Sequence, residues 1–140
     1  MSPPQIVLDT NVLVAGLRST KGASYKLLSL IDSGVFEINL SVPLVVEHED
    51  VLMRLQPDLG MSKTDIADFL DYLCTKATLH EIYFLWRPFL SDPRDEMVLE
   101  LAVKARCSYI VTYNKRDFRG AETFGLEVVT SKEFLDQINV

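Results

Sequence analysis

Four separated acids, Asp9, Glu47, Asp95 and Asp117, are the residues of this chain best placed to do chemistry. Each lies near an apolar segment that is typical of a buried strand or of a core-facing helix side. Several carboxylates within a few ångströms of one another cannot all stay ionised without cations. Because hard oxygen ligands favour Mg²⁺ or Mn²⁺ over zinc or copper, the four acids indicate a site for one of these ions.

Asp9 and Glu47 also have simpler interpretations. Asp9 follows the apolar run at 6–8, where a buried strand would emerge, and it can cap a helix that begins near Asn11. Glu47 lies in the first turns of a predicted helix, where a solvated surface acid is the more common role. Glu49 and Asp50 are alternatives to it, but Glu47 lies closest to the end of the preceding strand pattern.

Asp95 is expected to point into the protein. The pair Asp92-Pro93 predicts a helix N-cap followed by proline at the first helical position. Asp95 then falls three positions into the helix, on the same side as Val98. We expect the helix dipole to help keep Asp95 ionised, whereas Glu96 and Glu100 are expected to face solvent.

The fourth position follows the apolar segment at 109–112 and offers two residues, Asn114 and Asp117. Either can simply form a turn. Asn114 can coordinate a cation through its carbonyl oxygen, but it contributes no negative charge. The sequence therefore leaves open which of the two completes the site and whether one or two ions bind.

The elements that must position these acids alternate between strand and helix patterns. Strand patterns occupy 5–9, 36–40, 109–112 and 126–129, with a weaker one at 79–85. Helix patterns occupy 12–17, 23–33, 41–56, 62–76 and 92–106, and Thr130 with Glu133 indicates a last short helix after a polar loop at 114–125. This alternation predicts an α/β fold, a three-layer α/β/α sandwich with a mainly parallel, twisted sheet of four to five strands. Ligands bind such sheets outside the carboxyl ends of their strands.

Size and composition indicate a single folded domain spanning 1–140. The net charge of −6 argues against nucleic-acid binding when taken alone. That argument weakens if several of the acids surround cations, because a bound cation reverses the local field. Two distant cysteines, Cys74 and Cys107, predict core residues rather than a zinc site. No apolar run is long enough for a membrane span, and the N-terminus does not have the pattern of a signal peptide, so a cytoplasmic location is expected.

In order and spacing, these motifs resemble the PIN-domain family, in particular the prokaryotic branch that contains VapC-type toxins of toxin–antitoxin pairs. The similar segments span nearly the whole chain: Val7-Leu8-Asp9-Thr10-Asn11-Val12, Ser41-Val42-Pro43 through Glu47, Asp92-Pro93-Arg94-Asp95 with Leu101-Ala102, and Ile110 through Phe118. The resemblance implies a Mg²⁺- or Mn²⁺-dependent ribonuclease, often dimeric and often restrained by a cognate antitoxin. It places the family's acids on Asp9, Glu47 and Asp95, and the fourth on Asp117 or Asn114.

From this resemblance we expect RNA phosphodiester hydrolysis by a metal-activated water. Asn11 and Thr112 are expected to hold the carboxylates by hydrogen bonds. Lys115, Arg116 and Arg119 form a basic cluster that either contacts RNA phosphates or carries ordinary surface charge.

Other side chains are expected to have no catalytic part. His48 and His80 are predicted to be surface residues. Several aromatic residues are predicted to pack in the core or at an interface: Phe69, Tyr72, Phe118, Phe124 and Phe134.

Two other classes of protein compete with a ribonuclease. One is a binding protein of the same fold whose catalytic site has degenerated, which Asn114 favours. The other is a phosphoryl-accepting α/β domain, a receiver or a haloacid-dehalogenase-like phosphatase. Asp9 has no acidic neighbour, as a receiver requires, and Thr10-Asn11 breaks the phosphatase Asp-x-Asp pattern. Nucleotide-binding glycine motifs do not occur in the sequence.

Overall fold

The fold alternates short strands with helices. The computed structural model describes residues 2–82 and 89–140. The strands are β1 Gln5–Leu8, β2 Glu37–Ser41, β3 Thr78–His80, β4 Tyr109–Val111 and β5 Glu127–Val129. The helices are α1 Thr10–Arg18, α2 Ala23–Ser29, α3 Val42–Arg54, α4 Gln56–Leu59, α5 Lys63–Lys76, α6 Pro93–Lys104 and α7 Ser131–Gln137. In these two ranges, none of the helices has the length and apolar character to cross a membrane.

The described strands form one five-stranded sheet in the order β3-β2-β1-β4-β5, and every neighbouring pair is parallel. Ile6 of β1 lies opposite Ile38 of β2 on one side and Tyr109 of β4 on the other. Parallel strands need helical crossovers, and right-handed crossovers running outward from the sheet centre in both directions place helices on both faces. The predicted α/β fold with a parallel sheet is confirmed.

Burial of the central strands explains their sequences. Ile6, Val7, Ile110 and Val111 are fully buried, as expected for strands that are covered on both faces and therefore read as continuous apolar runs. The polar positions that follow them mark the edge of the core. Asp9 follows β1 directly, and its backbone N–H donates to the carbonyl of Val111, 2.9 Å away, which keeps Asp9 in line with the sheet.

The chain reverses its direction across the sheet between β1 and β4. From β1 it moves to β2 and β3 on one side, and then returns to β4 and β5 on the other. The loops after β1 and β4 therefore leave a crevice at the carboxyl ends of these two strands, where open α/β sheets bind ligands.

Several predicted boundaries differ from the structure. Helix α2 ends at Ser29 rather than Ser33, and Gly34 adopts a left-handed φ of +86° in the turns that follow. The predicted helix at 41–56 divides after Arg54, and Pro57 lies in the first turn of the separate helix α4, where its missing N–H is tolerated. The predicted polar loop at 114–125 contains two 3₁₀ helices, Lys115–Phe118 and Ala121–Phe124.

The weak strand prediction at 79–85 meets the structure only in part. A strand is present as β3, which begins one residue earlier, at Thr78, and ends at His80. Residues 83–85 of that prediction lie outside the described residues.

Helix capping follows the sequence closely. Asp92 caps α6, accepting from the backbone N–H of Arg94 at 2.9 Å. Ser62 with Asp65 and Thr130 with Glu133 form reciprocal capping boxes at the starts of α5 and α7. Side-chain caps satisfy backbone donors that the first turn of a helix leaves free, so these starts are encoded locally.

Three polar residues predicted to face solvent are buried. His48 is 1% exposed, Glu96 9% and Glu100 7%. The carboxylate of Glu96 accepts the backbone N–H groups of Phe89 and Leu90, at 2.9 and 2.5 Å, and so holds the segment that leads into α6. Glu100 lies one turn further along the helix, and burial raises the pKa of its carboxyl group. The predictions for all three side chains were wrong. His48 lies on the buried face of α3 with Leu44 and Leu52, and α6 is buried on more than one side.

Among the aromatic residues, Phe118 and Phe134 are buried as predicted, whereas Tyr72 and Phe124 are 37% and 39% exposed. Cys107 is also buried, and Cys74 is partly exposed.

The close packing of α1 on α2 depends on Gly16. A Cβ atom at this position would lie 2.4 Å from Cδ1 of Leu28 and 3.1 Å from the backbone oxygen of Ser24. Gly16→Ala is therefore expected to lower the free energy of unfolding by about 1–2 kcal/mol, despite the better helix propensity of alanine. Urea unfolding measures this. Gly22→Ala is the control, since nothing lies within 4 Å of its added methyl group. Equal stability of the two variants would contradict the prediction.

Candidate active site

A pocket of about 490 Å³ lies at the carboxyl ends of β1 and β4. The acidic and amide side chains that line it come from four separated parts of the chain: Asp9, Asn11, Glu47, Asp92, Asp95, Asn114 and Asp117. Its remaining wall includes apolar residues of α1, of α3 and of the position directly after α3, among them Val14, Leu44, Val51 and Leu55. The structure thus brings all four acids singled out in the sequence, together with Asn114, to one cavity.

Asp9 is held in a fixed orientation by three donors. Its Oδ1 accepts the backbone N–H of Thr10 at 2.8 Å, so the side chain caps α1. Its Oδ2 accepts the Thr112 hydroxyl at 2.9 Å and the Asn11 side-chain amide at 3.3 Å. Asn11 also donates to Thr112 Oγ1 at 3.2 Å. Asn11 and Thr112, the residues predicted to hold the carboxylates, therefore both contact Asp9.

Burial and crowding of negative charge raise the pKa of two acids. Desolvation raises the pKa of Asp9 most, and the hydrogen bonds from Thr112 and Thr10 counteract it. The pKa of Asp95 is raised to about 6, first by desolvation and then by the negative charges of Asp9, Asp92 and Asp117. Desolvation and like charges therefore disfavour the ionised form of Asp95, the form that its position at the start of α6 was expected to favour.

Asp92 and Arg94 belong to the pocket as well, although the sequence assigned Asp92 only to capping. The guanidinium group of Arg94 donates to both carboxylate oxygens of Asp92, at 3.4 and 3.1 Å. This contact lowers the pKa of Asp92. It also raises the pKa of Arg94, and the nearby negative charges of Glu47 and Asp95 add to this increase.

The loop after β4 presents Asn114 and Asp117 to the same pocket. The backbone N–H of Asn114 donates to Thr112 Oγ1 at 3.0 Å, and that of Asp117 donates to the Asn114 carbonyl at 3.0 Å. The N–H of Tyr113 donates to Asn11 Oδ1 at 3.2 Å, which joins this loop to the start of α1. The side chains of Asn114 and Asp117 are exposed and can approach a ligand from the open side of the pocket.

The predicted basic cluster is not on the pocket wall. Lys115 forms an ion pair with Glu133 at 3.0 Å, and neither Arg116 nor Arg119 is among the described residues lining the cavity. The cations that do line it, within the described part of the chain, are Arg18 and Arg94. Arg18 is the last residue of α1. Its place on the pocket wall could therefore be predicted from the sequence only if the length of that helix were known.

The donor set of the pocket fits a hard divalent cation, since its polar atoms are carboxylate and amide oxygens. Across residues 2–82 and 89–140, no group of three or more Asp, Glu, His or Cys side chains is arranged closely enough to hold a metal ion by itself. Mg²⁺ usually retains several waters and takes only one or two carboxylates directly. The pocket therefore suits a partly hydrated ion rather than an ion caged by protein atoms alone.

Thr10, which lines the pocket, and His48, which does not, form a buried pair that sequence reasoning missed. Thr10 Oγ1 and His48 Nδ1 lie 2.7 Å apart, and either can be the donor according to the tautomer of the ring. Burial lowers the pKa of His48 to about 3, so the ring is neutral near pH 7. Leu44, His48 and Leu52 are the buried residues of α3. Their regular spacing of four was the available sequence signal.

The structure thus combines a parallel α/β sheet with an acidic pocket at the topological switch point, where carboxylates from distant segments share one site. The model of the PIN-domain family matches residues 5–116, and the chain belongs to this family. PIN domains are generally nucleases, and the nucleases among them typically use divalent metal ions. The family predicted from the motifs is confirmed.

The fold is also found among solved structures. One similar structure is the crystal structure of VapBC2 from Rickettsia felis bound to a DNA fragment from their promoter. The aligned region covers 89% of this chain and 98% of that chain, with 15% sequence identity and a TM-score of 0.61. At this identity the likeness shows the fold alone. No curated protein matches the chain in sequence.

Proposed function

We propose that this protein is a Mg²⁺- or Mn²⁺-dependent endoribonuclease and the toxin component of a toxin–antitoxin pair. The observation that carries the proposal is the convergence of Asp9, Glu47, Asp95 and Asp117 on one pocket at the switch point of the sheet. The raised pKa values of Asp9 and Asp95 support it, because acids that repel one another are stabilised by a shared cation.

In this mechanism, Asp9, Glu47 and Asp95 would hold the ion, in part through waters that it retains, and Asp117 or Asn114 would be a further ligand. A bound divalent ion lowers the pKa of a water and neutralises charge on the phosphoryl oxygens. Thr112 and Asn11 keep the Asp9 carboxylate in one orientation through the hydrogen bonds described above. The apolar wall at Val14 and Leu44 reduces the access of bulk water to one side of the pocket.

Cleavage of structured RNAs in Mg²⁺, in Mn²⁺ and in EDTA tests the activity directly. We expect products with 5′ or 3′ phosphates in either metal and none in EDTA. Cleavage that persists at full rate in EDTA would contradict the metal requirement. The same protein incubated with single-stranded DNA distinguishes a ribonuclease from a nuclease without sugar preference.

The proposed partner is a small antitoxin protein that restrains the nuclease. Support comes from the fold shared with VapBC2, a complex that was crystallised on promoter DNA. We also propose a cytoplasmic homodimer, on the basis of the family resemblance. Light scattering of the purified chain tests the dimer. A gene for a small DNA-binding protein next to the coding sequence, together with growth arrest on expression that this neighbour relieves, would test the toxin assignment.

The RNA backbone is proposed to contact Arg18, which lines the pocket. Arg18 lies 4.0 Å from Asp58 and is about half exposed, so it remains available to a phosphate. Arg18→Ala in an inactive Asp9→Asn background is expected to weaken binding of fluorescein-labelled single-stranded RNA. It should also lower the slope of log K against log salt by about 0.7 to 1, the value for one lost phosphate contact.

Arg54→Ala is the matched control for this measurement. Arg54 is an exposed arginine of α3 that pairs with Asp50 at 2.9 Å and does not line the pocket. If the Arg18→Ala and Arg54→Ala variants give the same slope of log K against log salt, Arg18 does not contact the RNA. The proposed contact would then return to Lys115, Arg116 and Arg119.

A binding protein with a degenerate site is the second candidate, and one observation favours it. Asn114 stands where a charged ligand would strengthen the site, and it contributes no negative charge there. Calorimetric titration with Mn²⁺ separates the two candidates, because a degenerate site would give no binding heat.

A further inference from the structure

A buried hydrogen bond connects the two helices that present Asp9 and Glu47. Thr10 begins α1 directly after Asp9, and His48 follows Glu47 in α3. Thr10 Oγ1 and His48 Nδ1 lie 2.7 Å apart. The two residues are 7% and 1% exposed. Breaking a bond between two buried polar groups leaves both unsatisfied, so such a bond fixes the local geometry strongly.

We propose that Thr10 and His48 are positioning residues whose hydrogen bond sets the separation of the Asp9 and Glu47 carboxylates for a shared divalent ion. The inference rests on the proposed function, because it takes this pocket to bind the ion. Neither side chain is proposed to touch the ion or the RNA.

The location of the bond supports this role over a general contribution to the core. Asp9 is already fixed relative to β4 through Thr112 and to α1 through the N–H of Thr10. The position of Glu47 depends instead on how α3 packs, and α1 is one of the elements that α3 contacts. Thr10 and His48 bridge these two helices one residue beyond each acid, so a change in their distance would shift the backbone from which each carboxylate extends. Metal ligands generally depend on such outer contacts for their orientation.

The variants separate the hydrogen bond from the shape of the side chains. Thr10→Val removes the hydroxyl and keeps the β-branched shape, while Thr10→Ser keeps the hydroxyl. His48→Leu removes the polar ring, whereas His48→Asn retains a polar atom at the δ position that Nδ1 occupies. Each partner therefore has one variant that breaks the bond and one that preserves it.

The experiment measures the Kd for Mn²⁺ by calorimetry and, separately, the Tm of the metal-free protein in EDTA. Thr10→Val and His48→Leu are expected to raise the Kd by about tenfold, the lower end of the effect of losing an outer-shell contact. Thr10→Ser and His48→Asn are expected to stay within about twofold of the unmodified protein. The double variant Thr10→Val/His48→Leu should bind no more weakly than either single variant, because both remove the same interaction.

The chain's other histidine supplies a matched control. His80 Nε2 of β3 lies 2.8 Å from Oδ1 of the buried Asn39 in β2. Neither residue lines the pocket. His80→Leu therefore removes a partly buried histidine hydrogen bond that lies away from the acids. It is expected to lower the Tm in EDTA and to leave the Kd for Mn²⁺ unchanged.

Two results would overturn the inference in distinguishable ways. If the unmodified protein binds Mn²⁺ and Thr10→Val lowers only the Tm, the bond is a structural contact and the proposed function stands. If the unmodified protein binds no Mn²⁺, the proposed metal site fails and the inference fails with it. Should His48→Leu not fold, the comparison of Thr10→Val with Thr10→Ser decides alone.

Discussion

Replacing Asp9 with asparagine is expected to slow RNA cleavage by about a thousandfold while leaving the protein folded. Asn keeps the shape of the side chain and its carbonyl oxygen can still accept the N–H of Thr10, which caps α1. It removes the negative charge at the most tightly held acid of the pocket. A metal ion contributes several kcal/mol of charge stabilisation in the transition state, and 1.36 kcal/mol corresponds to about tenfold in rate.

Single-turnover cleavage in saturating Mg²⁺ measures this loss, and circular dichroism with a thermal melt establishes folding. Asp68→Asn makes the same chemical change at an exposed position on α5 and should cleave at the unmodified rate. If folded Asp9→Asn protein cleaves as fast as Asp68→Asn protein, the acidic pocket is not the catalytic site.

Asp9 could be found from the sequence because its position is determined locally. A polar residue directly after a buried apolar run marks the end of a strand, and the carboxyl ends of parallel strands lie on one edge of a sheet. The same reasoning located the loop after β4, where Asn114 and Asp117 lie. Asp92 and Thr130 were found as caps for a similar reason, since a cap needs only the few residues that follow it.

His48, Glu96 and Glu100 could not be placed in this way, because their burial depends on what packs over each helix. An amphipathic pattern gives one buried face, and α6 is covered on several. The spacing of Leu44, His48 and Leu52 did carry the information for His48. It was missed because a histidine is buried less often than a leucine. Placing Arg18 at the pocket required knowing where α1 ends, and element boundaries are the least certain part of a sequence prediction.

Without metal, the Asp95→Asn variant is expected to be more stable than the unmodified protein. Once a divalent ion is present, the order should reverse and the variant should be the less stable of the two. The pKa of Asp95 in the folded state is raised from 3.8 to about 6. Below about pH 4 this carboxyl group is protonated in both the folded and the unfolded states, so its ionisation costs no stability there. As the pH rises to 6 the unfolded chain ionises first, and the folded state loses stability.

Asparagine does not titrate, so in EDTA the advantage of Asp95→Asn should be absent near pH 4 and fully developed above about pH 6.5. Solvent reaches this side chain and screens its charge, which reduces the expected gain to on the order of 1 kcal/mol, or about 3 °C in Tm.

A ligand at 100 times its Kd stabilises a folded protein by about 2.7 kcal/mol. Excess Mn²⁺ should therefore raise the Tm of the unmodified protein above that of Asp95→Asn and reverse their order. Thermal melts at the two pH values, with EDTA and with Mn²⁺, test both signs. A variant that is less stable than the unmodified protein in EDTA at neutral pH would show that Asp95 is held by contacts stronger than the repulsion from Asp9, Asp92 and Asp117.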